Sequence, residues 1–199
     1  MTQEALESAR EAFRIESEAV AALWEVMDTD AFARAVEVLA KAPRIAASGC
    51  GHSGIACRHF AHLMCCIERP ARFLSPAEAT HGGSGFLQAG DVLLLVSRGG
   101  KTKELLPIAE ISRKKGAVVI AVTEALDSPL AQLSDIVLPM KVETETDRYN
   151  SQGTSSFTVT NVIFDALQAA LIEETGYKNE QFALIHPGGA VGERLNAQK

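Results

Sequence analysis

Arg44-Ile-Ala-Ala-Ser-Gly-Cys-Gly-His-Ser-Gly54 and Asp91-Val-Leu-Leu-Leu-Val-Ser-Arg-Gly-Gly-Lys-Thr-Lys-Glu104 each run from an apolar strand through a glycine-rich turn into a helix. Glycine lets the backbone approach an anion, and a helix N-terminus presents free N–H groups at the positive end of its dipole. Two such turns in one chain predict a seat for a phosphorylated small molecule, and the second turn delivers a carboxylate, Glu104, beside it.

Working outward, further short runs rich in Val, Ile and Leu occupy 72–74, 118–122 and 136–138, in series with 44–47 and 92–96. Helical stretches at 55–66, 104–115 and 129–133 separate them. Nearly continuous apolar strands alternating with helices imply a parallel sheet covered on both faces. The expected architecture is therefore an α/β three-layer α-β-α sandwich with a five-stranded parallel sheet. Before it, residues 1–42 read as a helical arm, with Leu6, Ala9, Phe13, Val20, Leu23 and Trp24 near a helical period and Asp28-Thr-Asp30 as a cap. The core spans 43–175 and ends in a long helix at 154–174 that Gly176 stops. Residues 176–199 carry His186 in a segment that Pro187 and the following glycines interrupt. One domain over 1–199 follows, since no repeat, low-complexity run or linker divides it.

Composition bounds the function. The chain has 19 Lys and Arg against 25 Asp and Glu, a net charge of −6, so no broad basic footprint for nucleic acid exists. Arg113-Lys-Lys115 reads as cations at a helix C-terminus. The start, Met1-Thr-Gln-Glu, lacks a signal-peptide pattern, and no run looks apolar enough to span a bilayer, so a cytoplasmic protein is expected. Cys50, Cys57, Cys65 and Cys66 form no disulfide-like framework and are expected to be reduced and mostly packed, with Cys50 near a ligand.

The turns exclude two familiar nucleotide sites. Gly49, Gly51 and Gly54 match G-x-G-x-x-G, but Glu68 precedes the next strand rather than ending it, where a ribose-binding acid belongs. There is no G-x-x-x-x-G-K-[ST]. The site candidates are instead Ser48, Gly49, Gly51 and Ser53 in the first turn, Ser97, Gly100, Lys101 and Thr102 in the second, and Thr154, Ser155 and Ser156 at the start of the long helix. These hydroxyls and N–H groups suit phosphate. His52, His81 and His186 lie in loop-like sequence, whereas His59 and His62 sit on a helix and read as structural. No ligand spacing announces a required metal, although His52, His81, Glu104 and His186 together could hold an inhibitory one.

Taken in order, Gly49-x-Gly-x-Ser-Gly54, Glu78-Ala-x-His-Gly82, the Ser97 turn leading to Glu104, Thr154-Ser-Ser156 and Phe182-Ala-x-x-His-Pro-Gly-Gly-Ala-x-Gly192 resemble the sugar isomerase (SIS) domain family, closest to its arabinose 5-phosphate isomerase branch. The resemblance runs from about Arg44 to Leu195. It implies a flavodoxin- or Rossmann-like SIS fold and an enzyme that interconverts an aldose phosphate with its ketose phosphate, most directly D-arabinose 5-phosphate with D-ribulose 5-phosphate, without a cofactor. It carries general-base and acid roles onto Glu104, His81 and His186. The branch usually has Lys where this chain has His52, which is assigned to stabilising the enediolate, and its Ser-x-Ser-Gly-Glu-Ser turn reads Ser97-Arg-Gly-Gly-Lys-Thr102 here. The CBS pair of longer relatives is not in this sequence, so an isomerase domain acting alone is expected, as a homo-tetramer. Another isomerase substrate, such as a hexulose 6-phosphate, and a non-catalytic sugar-phosphate sensor are the alternatives.

Overall fold

The computed structural model describes residues 1–197. In chain order the elements are α1 (Gln3–Val26), α2 (Thr29–Lys41), β1 (Ile45–Gly49), α3 (Gly51–Cys66), β2 (Ala71–Phe73) and α4 (Pro76–Ala79). A 3₁₀ turn (Gly83–Phe86), β3 (Val92–Val96), α5 (Leu106–Lys114), β4 (Val118–Thr123), α6 (Pro129–Gln132) and β5 (Ile136–Pro139) follow. The chain closes with α7 (Ser155–Thr175), α8 (Asn179–Ile185) and α9 (Gly189–Asn196).

The five strands form one sheet in the order β2-β1-β3-β4-β5, parallel throughout. Ala47 stands opposite both Phe73 and Leu94, and Leu94 opposite Ile120. Every residue of β1 and β3 is buried, which is why these strands read as unbroken apolar runs. Alternate side chains feed two cores. Ala47, Leu94 and Ile120 pack with Leu39 of α2, Phe60 of α3 and Phe164 of α7 on one face. Ala46, Leu93 and Leu95 pack with Leu74, Ile108 of α5 and Leu130 of α6 on the other. The predicted three layers are present.

β1 has β2 on one side and β3 on the other, so the chain leaves β1 and β3 toward opposite faces. The crevice such a reversal opens at the strands' C-terminal ends is where open α/β sheets bind ligands. Both glycine-rich turns lie there, one after β1 and one after β3.

Local signals set the boundaries. Asp28 caps α2, its side chain accepting from the Ala31 N–H at 2.9 Å. Gly176 ends α7, and Arg113 and Lys114 occupy the last turn of α5 as expected for cations at a helix C-terminus.

Three expectations change. α7 is long and apolar enough, by length and composition, to cross a membrane; here it packs against α1, α2 and α3. α1 has its predicted helical period, yet no residue in it is buried and Phe13 and Trp24 are exposed. Of the cysteines only Cys57 is buried; Cys50 and Cys65 are exposed and Cys66 half-buried. Cys65 and Cys66 lie on the last turn of α3, away from the sheet's centre. On the same helix, His59 and His62 are at the surface, His59 lying 3.9 Å from the Asp165 carboxylate.

Candidate active site

The first turn is built on close backbone contact. A Cβ on Gly49 would lie 2.8 Å from the Ser53 carbonyl carbon, and one on Gly54 would lie 2.6 Å from the Gly49 carbonyl oxygen. Only glycine at both positions lets the first turn of α3 ride directly on the end of β1. Cys50, the residue before α3, makes no side-chain cap. The opening N–H groups of α3 therefore stay available to a ligand.

In the second turn the Gly100 N–H donates to the Ser97 carbonyl at 3.0 Å, and the Ser97 and Thr102 hydroxyls share a hydrogen bond of 2.8 Å. Gly100 has φ +60°, and a Cβ there would fall 1.9 Å from Ser128 Oγ. Its carbonyl accepts from the Leu130 N–H at 3.1 Å. Gly100 thus seats the turn on α6. Lys101 and Glu104 project from the same turn and are exposed.

Glu104 is a wall of a groove of about 480 Å³ at the C-terminal edge of β1 and β2. Gly49, Cys50, Gly51, Arg58, Phe73 and Ser75 line it as well. The volume falls in the range of small-ligand pockets. Burial, together with the Glu104 carboxylate, pushes the Cys50 thiol up, so Cys50 lines the groove as a neutral thiol.

The other predicted residues are placed differently. His52 turns its ring away, edge-on to Phe157 at 6.1 Å between centroids and against Gly153, where a Cβ would lie 3.0 Å from Nδ1. With Ser53, Arg98 and Ser156 it borders a separate hollow of about 20 Å³, room for one water and not for a sugar. His81 sits between α4 and the 3₁₀ turn, exposed, its N–H donating to the Glu78 carbonyl at 3.1 Å.

His186 ends α8, with its ring 4.9 Å from that of Phe182. This C-terminal part of the chain is tied to the far end of α3. The Tyr177 hydroxyl donates to the Cys66 carbonyl at 2.8 Å, and the Gln181 amide donates to the Glu68 carboxylate at 2.7 Å. α3 has 16 residues, a length of roughly 24 Å at the helical rise, so these ties lie at the other end of α3 from the groove, which His186 does not line. Glu68 is there too, in the turn before β2 and far from where a ribose would sit.

Glu104 is therefore the one predicted catalytic side chain at the groove. The inhibitory metal site is not assembled: among the described residues no three His, Cys, Asp or Glu side chains converge.

The third hydroxyl cluster is partly engaged within the chain. The Glu145 carboxylate already occupies the N-terminus of α7, accepting from the Ser156 N–H at 3.1 Å and from the Thr154 hydroxyl at 3.2 Å. Thr154 Oγ1 also accepts from the Thr146 N–H. Ser48 and Ser155 are fully buried, and their hydroxyls have no protein partner. Glu145 is only 4% exposed and is held by Arg98 at 2.8 Å. Burial opposes its ionisation, but the hydrogen bonds from Ser156 and Thr154 and the Arg98 charge outweigh this and hold the carboxyl below the usual carboxylate range. Arg98 also bonds Glu124 and the Val142 carbonyl, each at 2.7 Å.

Arg98, Glu145 and Arg58 were not singled out by sequence reasoning. For Arg58 a signal existed: Gly51, Gly54, Ile55 and Arg58 recur at i, i+3, i+4 and i+7, one face of a helix. For Arg98 and Glu145 none did, because 47 positions separate them.

Known proteins bear directly on this arrangement. Arabinose 5-phosphate isomerase KdsD of Pseudomonas aeruginosa is 37% identical over 191 residues, 96% of this chain and 58% of the relative. KpsF of Escherichia coli, also named arabinose 5-phosphate isomerase, is 33% identical over 94% of this chain and 58% of its own length. The chain thus spans a little under three-fifths of these curated relatives. Among solved structures, a candidate sugar-phosphate isomerase from Listeria monocytogenes superposes with a TM-score of 0.91 at 39% identity, covering 94% of this chain and all of that one. Protein c3406 of E. coli CFT073, solved in complex with A5P, superposes with a TM-score of 0.85 at 29% identity, again covering 94% of this chain and all of that one. The model of the SIS domain matches residues 38–170, which takes in the whole sheet and both glycine-rich turns, and this chain belongs to the SIS domain family.

Proposed function

We propose that the protein is a cytoplasmic aldose–ketose isomerase of a phosphorylated sugar, converting D-arabinose 5-phosphate to D-ribulose 5-phosphate. The observation that carries this is the Glu104 carboxylate on the wall of a ligand-sized groove, beside two glycine-rich turns. The names of the relatives and the A5P bound to the E. coli protein support the choice of sugar.

The reaction needs a base over the carbons. Glu104 takes the proton from C2 of the open-chain aldose as electrons move onto the carbonyl oxygen, giving an enediolate. Return of a proton to C1, with proton transfer between O1 and O2, yields the ketose. A carboxylate positioned for this contributes typically ~10²- to 10⁴-fold in rate. The chain's own His186 lies away from the groove, so histidine assistance there comes from a second copy. The exposed apolar face of α1 supports association, in this reading as a homo-tetramer.

The test follows D-arabinose 5-phosphate by NMR with chelator-treated protein. Turnover above ~1 s⁻¹, ordinary for an enzyme, is the expected result. Binding without turnover would instead mark a sugar-phosphate sensor, and conversion of a hexulose 6-phosphate alone would move the substrate.

A further inference from the structure

One side chain joins the second glycine-rich turn to the start of α7. Arg98 follows Ser97, and its backbone carbonyl accepts from the Glu124 N–H and the Thr123 hydroxyl, each at 3.0 Å. All three guanidinium nitrogens are engaged within the chain. Nε donates to Glu124 at 2.7 Å, Nη1 to Glu145 at 2.8 Å and Nη2 to the Val142 carbonyl at 2.7 Å.

The acceptors carry the link onward. Glu145 is nearly buried, and its other oxygen accepts from the Ser156 N–H and the Thr154 hydroxyl at the start of α7. Gly153 and Phe157, on either side of that helix start, are the residues against which the His52 ring rests. A continuous run of bonded and packed groups therefore leads from the Ser97–Thr102 turn, through Arg98 and Glu145, to His52 in the first turn of α3. Only a planar fork of donors meets three acceptors at fixed angles; the ammonium of a lysine does not. Removing the guanidinium would also leave two carboxylates without their cation, one of them buried, behind a turn whose hydroxyls suit phosphate. A loosened turn and an uncompensated negative charge both act against an anionic ligand.

We infer that Arg98 is a positioning residue for the phosphate of the substrate: it touches no ligand itself, and through Glu145 it holds the Ser97–Thr102 turn and the start of α7 in one fixed relation. This rests on the sugar-phosphate reading above. The phosphate contacts stay with the turn, and Arg98 sets how well the turn makes them.

Arg98→Met removes the charge and the fork, Arg98→Lys removes the fork alone, and Glu145→Gln removes the charge through which Arg98 acts. Binding is measured by calorimetry in a Glu104→Gln background, where turnover is suppressed. The ligands are D-arabinose 5-phosphate and inorganic phosphate, the second as a probe of the phosphate seat alone. Arg98→Met is expected to weaken both by roughly 10- to 100-fold, the scale of coupling within one hydrogen-bonded network. Arg98→Lys should show a smaller loss in the same direction, and it carries the test if Arg98→Met does not fold. Once Glu145→Gln is present, adding Arg98→Met should weaken binding by no more than about threefold further. Leu39→Ala, in the buried face of α2, lowers stability without touching the network and should leave both Kd values unchanged. An unchanged Kd in the Arg98 variants, full additivity with Glu145→Gln, or an equal loss in Leu39→Ala overturns the assignment and leaves the isomerase reading intact. The expected pattern with no turnover in the parent protein keeps Arg98 and removes the isomerase. A parent that binds neither ligand overturns both.

Discussion

Glu104 owes its position to the turn before α5 and not to burial, so removing its charge should cost little stability. Glu104→Gln is expected to lower kcat by ~10²- to 10⁴-fold with an unchanged melting temperature. Near wild-type turnover would show that another group takes the C2 proton. Gly100 makes the opposite kind of prediction. Gly51 and Gly100 both have positive φ, +55° and +60°, but a Cβ on Gly51 meets nothing within 4 Å while one on Gly100 collides with Ser128. Gly51→Ala should therefore cost only the backbone penalty of about 1 kcal/mol, and Gly100→Ala about 3 kcal/mol once overpacking is added. At this chain length the difference is about 4–8 °C in Tm, readable by calorimetry; equal shifts would mean that the turn moves away from α6 freely. The sequence marks both glycines as turn residues, and Glu104, on the second turn, lines the groove. It does not show which way a side chain leaves a turn. His52 is directed by Gly153 and Phe157, about a hundred positions away, and no local pattern records that.

The elements of the sheet were legible because a strand buried on both faces has to be apolar at every position, and runs such as Val92–Val96 leave no other reading. The loop from β5 to α7 was not legible, since its order comes from charge pairing across distant segments. Arg98 gathers Glu124, Glu145 and the Val142 carbonyl, and Glu145 then closes the N-terminus of α7. Glu145→Gln should destabilise the protein by roughly 2 kcal/mol at pH 7, the scale of a charge-assisted bond. The pH dependence has a definite sign. The folded carboxyl titrates below its unfolded value, so its contribution is complete above the unfolded pKa of ~4.3 and is lost as pH falls through the folded pKa. Urea midpoints of the two proteins should thus differ by a constant amount from pH 7 to about pH 5 and converge at lower pH. A gap that persists at pH 3 would show that shape, rather than charge, holds the helix start.

At the scale of the whole molecule, two features remain unmatched within one chain. α1 is a 24-residue helix with no buried residue, and Phe13 and Trp24 are 77% and 83% exposed. Trp24 stands over an apolar hollow of about 260 Å³ shared with Val20, Met27, Phe32, Leu138 and Ile163. His186, meanwhile, does not line the groove that Glu104 borders. Self-association addresses both, because a second copy can cover α1 and bring its own C-terminal segment to the groove. Covering roughly 200 Å² of one aromatic side chain contributes about 5 kcal/mol at ~25 cal/mol per Å², so a charge on this face should be decisive. If the chain self-associates as proposed, Trp24→Glu combined with Phe13→Glu is expected to give smaller species by light scattering at micromolar concentration, with helix content retained. If His186 of a second copy completes the site, specific activity should fall with the mass, and His186→Ala should lose activity without dissociating. Mixing inactive Glu104→Gln with inactive His186→Ala should then restore part of the activity, because some mixed assemblies hold one intact pair. No recovery on mixing, or a dissociated variant with full specific activity, would confine catalysis to the groove of a single chain.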